Sequence, residues 1–118
     1  MNNTHPIHRG AVFYVDLGQA DGTSIQAGVR PCILTSSNIN NFYSPNVNIV
    51  CLTSSRTKSK LPVHIFLSAE ESGLPKDSIC LCEQQQTVPK TALRQYVTTL
   101  SDDLMERVSD GLRLQLCL

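Results

Sequence analysis

The chain has 118 residues, of which 41% are hydrophobic and 17% are charged, and its ten Lys and Arg residues balance ten Asp and Glu residues. This length and composition predict one globular domain over residues 1–118, since two smaller domains could not each bury a sufficient core. No apolar run is long enough to cross a membrane, and the polar N-terminus lacks the apolar core of a signal peptide. The expected location is therefore the cytoplasm.

The charged residues are distributed unevenly between the two halves of the chain. Residues 1–60 carry five Lys or Arg and two acids, a net charge of +3, whereas residues 61–118 carry five Lys or Arg and eight acids, a net charge of −3. The first half could therefore attract phosphate groups, although the asymmetry alone does not define a binding surface.

The five cysteines indicate neither a disulfide framework nor a metal centre. Cys80 and Cys82 would share one face of a strand, where two thiols cannot easily bridge each other. The sequence contains no Cys-x-x-Cys pair of the kind that zinc sites use. We therefore expect buried, apolar cysteine side chains, and neither a metal nor another cofactor.

The first half of the chain predicts three strands joined by polar segments. Strands are expected over residues 11–17, 29–35 and 47–52, which are rich in β-branched and other apolar residues. Pro31 lacks a backbone N–H, which places it at an edge, a bulge or a strand start. The polar segments are the glycine-bearing loop 18–28, residues 36–44, where one helical turn is allowed, and the basic loop 56–60.

The second half predicts shorter strands and one clear helix. Ser101 suits an N-cap, and Leu104, Val108 and Leu112 recur at helical spacing. The other expected elements are a strand over 63–67, a helical turn over 68–73, residues 78–83 and 84–88 as one long bent strand or two short ones, and a strand over 96–99. Together these elements indicate a mainly β fold, a small twisted barrel or half-barrel with helical insertions.

Five short segments carry residues that are unusual for strands that serve only as core. In chain order they are Arg9-Gly10, Gly28-Val29-Arg30-Pro31, Leu52-Thr53-Ser54-Ser55, Lys60-Leu61-Pro62-Val63-His64 and Glu83-Gln84. Their order and spacing resemble the MazF/PemK/Kid family of toxin endoribonucleases over nearly the whole chain. The resemblance implies an SH3-like antiparallel barrel with a C-terminal helix, a homodimer, and metal-independent cleavage of single-stranded RNA at short sequences. It also implies a partner, a MazE-like antitoxin that lays an extended acidic segment across the RNA groove.

The resemblance also implies the functional residues. Arg30 falls on the family's catalytic arginine and Thr53 on its catalytic threonine. With the polar residues around them, the expected RNA-binding residues are Ser24, Gln26, Ser54, Ser55, Lys58, His64, Glu83, Gln84 and Gln85. Two positions depart from the family, because Gln86 stands where an arginine is usual and Pro89 where an acid is usual. These departures bear on the RNA contacts and the base preference, and leave Arg30 and Thr53 unchanged.

Metal-free RNA cleavage uses the 2′-hydroxyl of the substrate as the nucleophile, and it leaves a 2′,3′-cyclic phosphate and a 5′-hydroxyl end. Arg30 suits the stabilisation of charge on the phosphate, because its guanidinium presents a planar fork of donors. Thr53 can orient a phosphate oxygen or the attacking hydroxyl. The group that removes the 2′ proton stays open between Glu83 and a relay through Arg30.

Each of these residues also has a purely structural interpretation. Arg30 could pair with an acid at a strand edge, and Thr53 could cap a turn. His64 could be a structural histidine, and Glu83 could pair with a surface lysine. The basic loop 56–60 could be a solvated loop.

Two other functions fit the same pattern. One is a non-enzymatic toxin of the same barrel architecture that binds DNA gyrase. The other is an RNA-binding module that has lost its activity through Gln86 and Pro89.

Overall fold

The computed structural model describes residues 6–54 and 61–118, which form one six-stranded antiparallel sheet with helices between and after its strands. The strands are β1 (Ala11–Asp16), β2 (Val29–Leu34), β3 (Asn46–Thr53), β4 (His64–Leu67), β5 (Ser78–Pro89) and β6 (Leu93–Thr99). The helices are α1 (Asn38–Tyr43), α2 (Ala69–Ser72) and α3 (Asp102–Leu116), and a 3₁₀ turn spans Lys90–Ala92. The strand order in the sheet is β4-β5-β3-β2-β1-β6.

The expected mainly β fold with a C-terminal helix is confirmed. The sheet is barrel-like but not closed, because β4 and β6 are edge strands that no ladder joins within the described residues. In the same part of the chain, no helix is long and apolar enough to cross a membrane.

Both faces of the sheet are buried, which explains why its central strands are almost continuously apolar. Val12 and Phe13 are neighbours on β1 but belong to two different apolar clusters, as do Cys32 and Ile33 on β2. Because side chains alternate along a strand, the two clusters lie on opposite faces. The cluster that contains Val12 and Ile33 also includes Val108 of α3, so the C-terminal helix covers that face.

β5 is one continuous strand, which decides between the two arrangements that the sequence allowed. Between the pairs Val50–Gln85 and Cys51–Leu81, the register advances by one residue on β3 and by four on β5. Residues 82–84 therefore have no paired residue on β3, and we call them the β5 bulge. A bulge bends its strand and changes the direction of its side chains.

β6 begins at Leu93, three residues before the strand that the sequence predicted. Its pairing with β1 runs from Ala11–Thr99 to Val15–Leu93 and contains two register shifts. Irregular pairing of this kind removes the period-two alternation by which a strand is recognised in a sequence.

α3 is the helix that the sequence predicted, and it begins with the expected cap. The hydroxyl of Ser101 accepts a hydrogen bond from the backbone N–H of Leu104 at 3.3 Å. Asp102 and Asp103 lie in the first turn, where negative charges interact favourably with the helix dipole.

Four of the five cysteines are fully buried, as expected, and all five are free thiols. Cys117 differs because it is the exposed C-cap of α3. Within residues 6–54 and 61–118, no group of three or more His, Cys, Asp or Glu side chains could hold a metal ion.

Candidate nucleic-acid interface

Arg30 lies near the start of β2, and Thr53 is the last residue of the neighbouring strand β3. The ladder between these strands is antiparallel, and its last pair is Cys32–Cys51. Two residues further in the same register, Arg30 lies opposite Thr53, on the sheet face that holds the two cysteines. The ladder does not continue to this position, so the two strands end their pairing here. The two residues expected to be catalytic therefore lie where the pairing of β2 and β3 has stopped, a place that we call the opening.

A backbone contact fixes the direction of the exposed Arg30 side chain. Its Nε donates a hydrogen bond to the carbonyl oxygen of Ala27 at 2.9 Å. Among the residues that the structure describes, neither terminal nitrogen of Arg30 has a protein partner, and no acid pairs with it. The interpretation as an acid-paired edge arginine therefore has no support in this part of the chain, and both terminal nitrogens are available to a ligand.

The loop between β1 and β2 forms an open concavity beside Arg30. The neck of the loop is closed by two backbone bonds, from Leu17 N–H to Gly28 O at 2.9 Å and from Gly28 N–H to Gly18 O at 2.7 Å. The concavity measures about 810 Å³, and its lining includes Ser24, Gln26, Ala27 and Arg30. Two expected RNA-binding residues thus share one surface with the expected catalytic arginine.

A local turn stabilises the tip of this loop. Asp21 accepts hydrogen bonds from the hydroxyl of Thr23 at 2.5 Å and from its backbone N–H at 3.0 Å. These bonds favour the ionised carboxylate and lower the pKa of Asp21 below its ordinary value. The loop therefore carries a negative charge at Asp21, whose carboxylate is held by Thr23.

Gln84, in the β5 bulge, binds the same loop through both ends of its side-chain amide. Its Oε1 accepts a hydrogen bond from the backbone N–H of Gln26 at 2.8 Å. Its Nε2 donates to the backbone carbonyl of Ser24 at 3.0 Å. The amide that was expected to contact RNA is thus engaged within the protein, and contact with RNA stays a prediction.

His64 and Glu83 form a second, largely buried pair. The Nδ1 of His64 accepts a hydrogen bond from the backbone N–H of Leu61 at 3.2 Å, so the ring proton is on Nε2. That Nε2 lies 3.0 and 3.1 Å from the two carboxylate oxygens of Glu83 and donates to them. The side chains are 7% and 25% exposed, so Glu83 binds the histidine rather than a surface lysine. Both ring nitrogens of His64 are thus bonded within the protein, as expected for a structural histidine.

The cross-strand register places this pair relative to Arg30 and Thr53. His64 of β4 is opposite Leu81 of β5, and Leu81 is opposite Cys51, which lies two residues before Thr53 on β3. His64 and Glu83 therefore support the strands beside the opening and do not lie directly in it.

The remaining expected residues are placed as follows. Ser54 follows Thr53 directly and is exposed. Gln85 is opposite Val50 and its Nε2 donates to the carbonyl of Cys82 at 3.4 Å. Ser55 and Lys58, with the rest of the basic loop, lie outside the described residues.

Two residues that the sequence analysis missed act through their backbone. The carbonyl of Ala27 orients the guanidinium of Arg30, and the N–H of Leu61 selects the tautomer of His64. Every residue type carries these groups, so no sequence pattern indicates which of them a side chain will bind.

The chain is similar in sequence to a known protein family and to a characterised relative. A family described as "PemK-like, MazF-like toxin of type II toxin-antitoxin system" matches residues 8–116. The endoribonuclease EndoA of Bacillus subtilis (strain 168) is 35% identical over 112 residues, which cover 95% of this chain and 96% of EndoA.

Solved structures show the same fold at lower identity. An endoribonuclease in complex with its cognate antitoxin from Mycobacterial species has a TM-score of 0.77 at 22% identity, with 94% of this chain and 95% of that chain covered. The MazF of Deinococcus radiodurans also has a TM-score of 0.77, at 17% identity, with 94% of this chain and 96% of that chain covered. The resemblance found in the sequence is thus confirmed, and the chain belongs to the PemK-like, MazF-like family of toxins of type II toxin–antitoxin systems.

Proposed function

We propose that this chain is the toxin component of a type II toxin–antitoxin system and acts as a sequence-specific, metal-independent endoribonuclease on single-stranded RNA. EndoA, its relative at 35% identity, is an endoribonuclease. The observation that carries the proposal is the guanidinium of Arg30, which is held by Ala27, has two available terminal nitrogens, and lies opposite Thr53 in the register.

The chemistry assigned to this opening is attack by the 2′-hydroxyl oxygen on the adjacent phosphorus. The 2′-hydroxyl gives its proton to the general base as a bond from the 2′ oxygen to phosphorus forms. The bond from phosphorus to the 5′ oxygen breaks, and the departing oxygen takes up a proton. The products are a 2′,3′-cyclic phosphate and a 5′-hydroxyl end. Arg30 stabilises the negative charge that develops on the phosphate oxygens, and Thr53 orients the reacting groups.

The position of Glu83 bears on the choice of general base. Its carboxylate accepts hydrogen bonds from His64 of β4, a strand that β5 separates from β3. This arrangement favours the relay through Arg30 over direct proton removal by Glu83, since a base must come within hydrogen-bond reach of the proton it accepts.

The proposed RNA groove runs from the β1–β2 loop past the ends of β2 and β3. Ser24 and Gln26 line one side of it, and Ser54 follows Thr53 on the other. The residues that we propose to form the RNA-binding surface are Ser24, Gln26, Ser54, Ser55, Lys58, His64, Glu83, Gln84 and Gln85. Of these, Gln84 contributes through the loop that its side chain holds. Amides and hydroxyls of this kind can read the edges of unstacked bases.

The partners that we propose follow from the same surface. A MazE-like antitoxin would place an extended acidic segment against the cation of Arg30, and so compete with the RNA phosphates.

We further propose that residues 1–118 form a single domain and that this domain works as a homodimer. Its proposed location is the cytoplasm, where its five cysteines stay reduced.

The test is incubation of the purified protein with a long transcript in EDTA, followed by mapping of the ends. We expect discrete fragments with 5′-hydroxyl ends. Intact RNA together with inhibited DNA gyrase would support the gyrase-binding toxin instead, and RNA binding without cleavage would support the inactive module.

The matched variants are Arg30→Ala and Arg113→Ala. Arg30→Ala should lower cleavage by about 100-fold or more, as is typical when one charge-stabilising donor is removed. Arg113 is an exposed arginine on α3 that pairs with Glu106 and Asp110, so its replacement should leave cleavage unchanged. Equal activity of the two variants would contradict the assignment of Arg30.

A further inference from the structure

Gln84 holds a loop that belongs to a different part of the sheet. β3 separates β5 from β2, so the β1–β2 loop must reach past β3 to meet the β5 bulge. It does so at two backbone groups of the loop, the carbonyl of Ser24 and the N–H of Gln26. A side-chain amide carries a donor group and an acceptor group side by side, so Gln84 binds the loop as a neighbouring strand would.

The β5 bulge explains how Gln84 reaches this loop. Its three residues are unpaired with β3 and direct their side chains to three different elements. The Sγ of Cys82 lies 3.9 Å from the carbonyl of Val108 in α3, and Glu83 binds His64 at the start of β4. Gln84, the last of the three, is directed to the loop.

The hydrogen bonds continue from Gln84 to Arg30. Gln84 fixes the N–H of Gln26, and the next residue, Ala27, supplies the carbonyl that holds the Nε of Arg30. A shift of this loop segment would therefore change the direction of the guanidinium, although Gln84 and Arg30 do not need to touch.

We infer that Gln84 is a positioning residue, which fixes the β1–β2 loop through its side-chain amide and thereby sets the direction of the Arg30 guanidinium. The consequence for RNA cleavage rests on the proposed function, whereas the hold on the loop does not. Because the amide holds the loop at both ends, we assign the effect of Gln84 on the substrate to the position of the loop, and the third test below distinguishes this role from base reading.

The first test is made without RNA. Amide hydrogen exchange of Gln26, followed by NMR, should be faster in Gln84→Met by about tenfold or more, because two hydrogen bonds that hold the segment are lost. Gln95→Met on the exposed edge strand β6 is the matched control and should leave this exchange unchanged. Unchanged exchange of Gln26 in Gln84→Met would overturn the inference, whatever the activity of the protein.

The second test uses Gln84→Glu, which replaces the amide with a group of the same shape. An ionised carboxylate keeps the acceptor for Gln26 but opposes the carbonyl of Ser24, whereas the protonated carboxyl can donate to that carbonyl. Bonding of the neutral form raises the pKa of the introduced carboxyl above the ordinary value of about 4.3. Protection of the Gln26 amide, corrected for intrinsic exchange, should therefore be low at neutral pH and recover on mild acidification. A variant without recovery would overturn the inference, since a merely disturbed core would not respond to this proton.

The third test separates positioning from base reading. Gln84→Met should lower kcat at every cleavage site by a common factor of about ten, with little change in KM, because it weakens a stabilising contact made in the transition state. A changed set of cleavage sites would identify Gln84 as a base reader and overturn the inference. If the wild-type protein cleaves no RNA, the proposed function fails, and the two exchange experiments still decide whether Gln84 holds the loop.

Discussion

At the scale of single residues, the backbone contact of Arg30 determines how its charge can be used. Its Nε donates to the carbonyl of Ala27, and this leaves the two terminal nitrogens as a fork of donors for a ligand. A fork of this kind matches two phosphate oxygens at once. One nitrogen of the guanidinium therefore fixes the side chain within the protein, while the other two can donate to a ligand.

Arg30→Lys is the substitution that tests this division. Lysine keeps the positive charge, but its single ammonium cannot bind Ala27 and also present two separate donors. We expect cleavage to fall by about 100-fold, close to the loss for Arg30→Ala. Cleavage assays and circular dichroism on both variants would check it, with Arg113→Lys as the charge-conserving control on α3. Turnover of Arg30→Lys near that of the wild type would show that charge alone is sufficient.

At the scale of elements, the sequence predicts helices and strands that have a regular apolar period, and it does not predict irregular strand pairing. α3 was predicted because Leu104 and Val108 follow the period of a helix and Ser101 caps it. The β5 bulge has no such signal, because its three residues are recognisable only once the register of β3 is known. The same holds for the candidate site. The family motifs predicted Arg30 and Thr53, whereas the hydrogen bonds from Gln84 to the β1–β2 loop could be seen only in the structure.

Gly111 shows the same limit within α3. By helix propensity alone, glycine in a helix interior costs about 1 kcal/mol relative to alanine. In the structure it is buried, and a Cβ at this position would lie 2.7 Å from the Sγ of Cys82 and 3.0 Å from Ile65. The glycine is what allows α3 to approach the β5 bulge closely.

We therefore expect Gly111→Ala to destabilise the protein. Overpacking costs about 1–3 kcal/mol and the helix gains about 1 kcal/mol from alanine, which predicts a net loss of up to about 2 kcal/mol. Chemical denaturation would measure it, with Gln115→Ala on the exposed face of α3 as the control. In the double variant with Cys82→Ala, the cost of Gly111→Ala should shrink, because the closest atom has been removed. A more stable Gly111→Ala protein would show that the helix shifts without cost.

At the scale of the whole molecule, the burial of both sheet faces determines the chemistry of the cysteines. Cys32 and Cys51 are paired across β2 and β3 on one face, and Cys80 and Cys82 lie on the other, with Sγ atoms 3.8 Å apart. All four are fully buried. The sequence already indicated apolar cysteines, but only the two-sided sheet explains why none of these four thiols reaches solvent.

Thiol labelling in the native state tests this organisation of the fold. Contact with Cys51 and burial raise the pKa of Cys32, and contact with Cys82 and burial raise that of Cys80, so the reactive thiolates are suppressed at mildly alkaline pH. Contact with Cys80 lowers the pKa of Cys82, but burial still keeps a reagent from its sulfur. We expect Ellman's reagent to label one thiol per native chain quickly, the exposed Cys117, and all five in denaturant.

Cys117→Ser is the matched control, because it should remove the fast reaction and leave four thiols that react only in denaturant. The slow labelling of those four should follow the rate of unfolding, since both faces open together when the sheet unfolds. Rapid labelling of a second thiol under native conditions would mean that one face of the sheet opens on its own. The face would then be identified by which pair reacts, Cys32 with Cys51 beside Arg30 and Thr53, or Cys80 with Cys82 beneath α3.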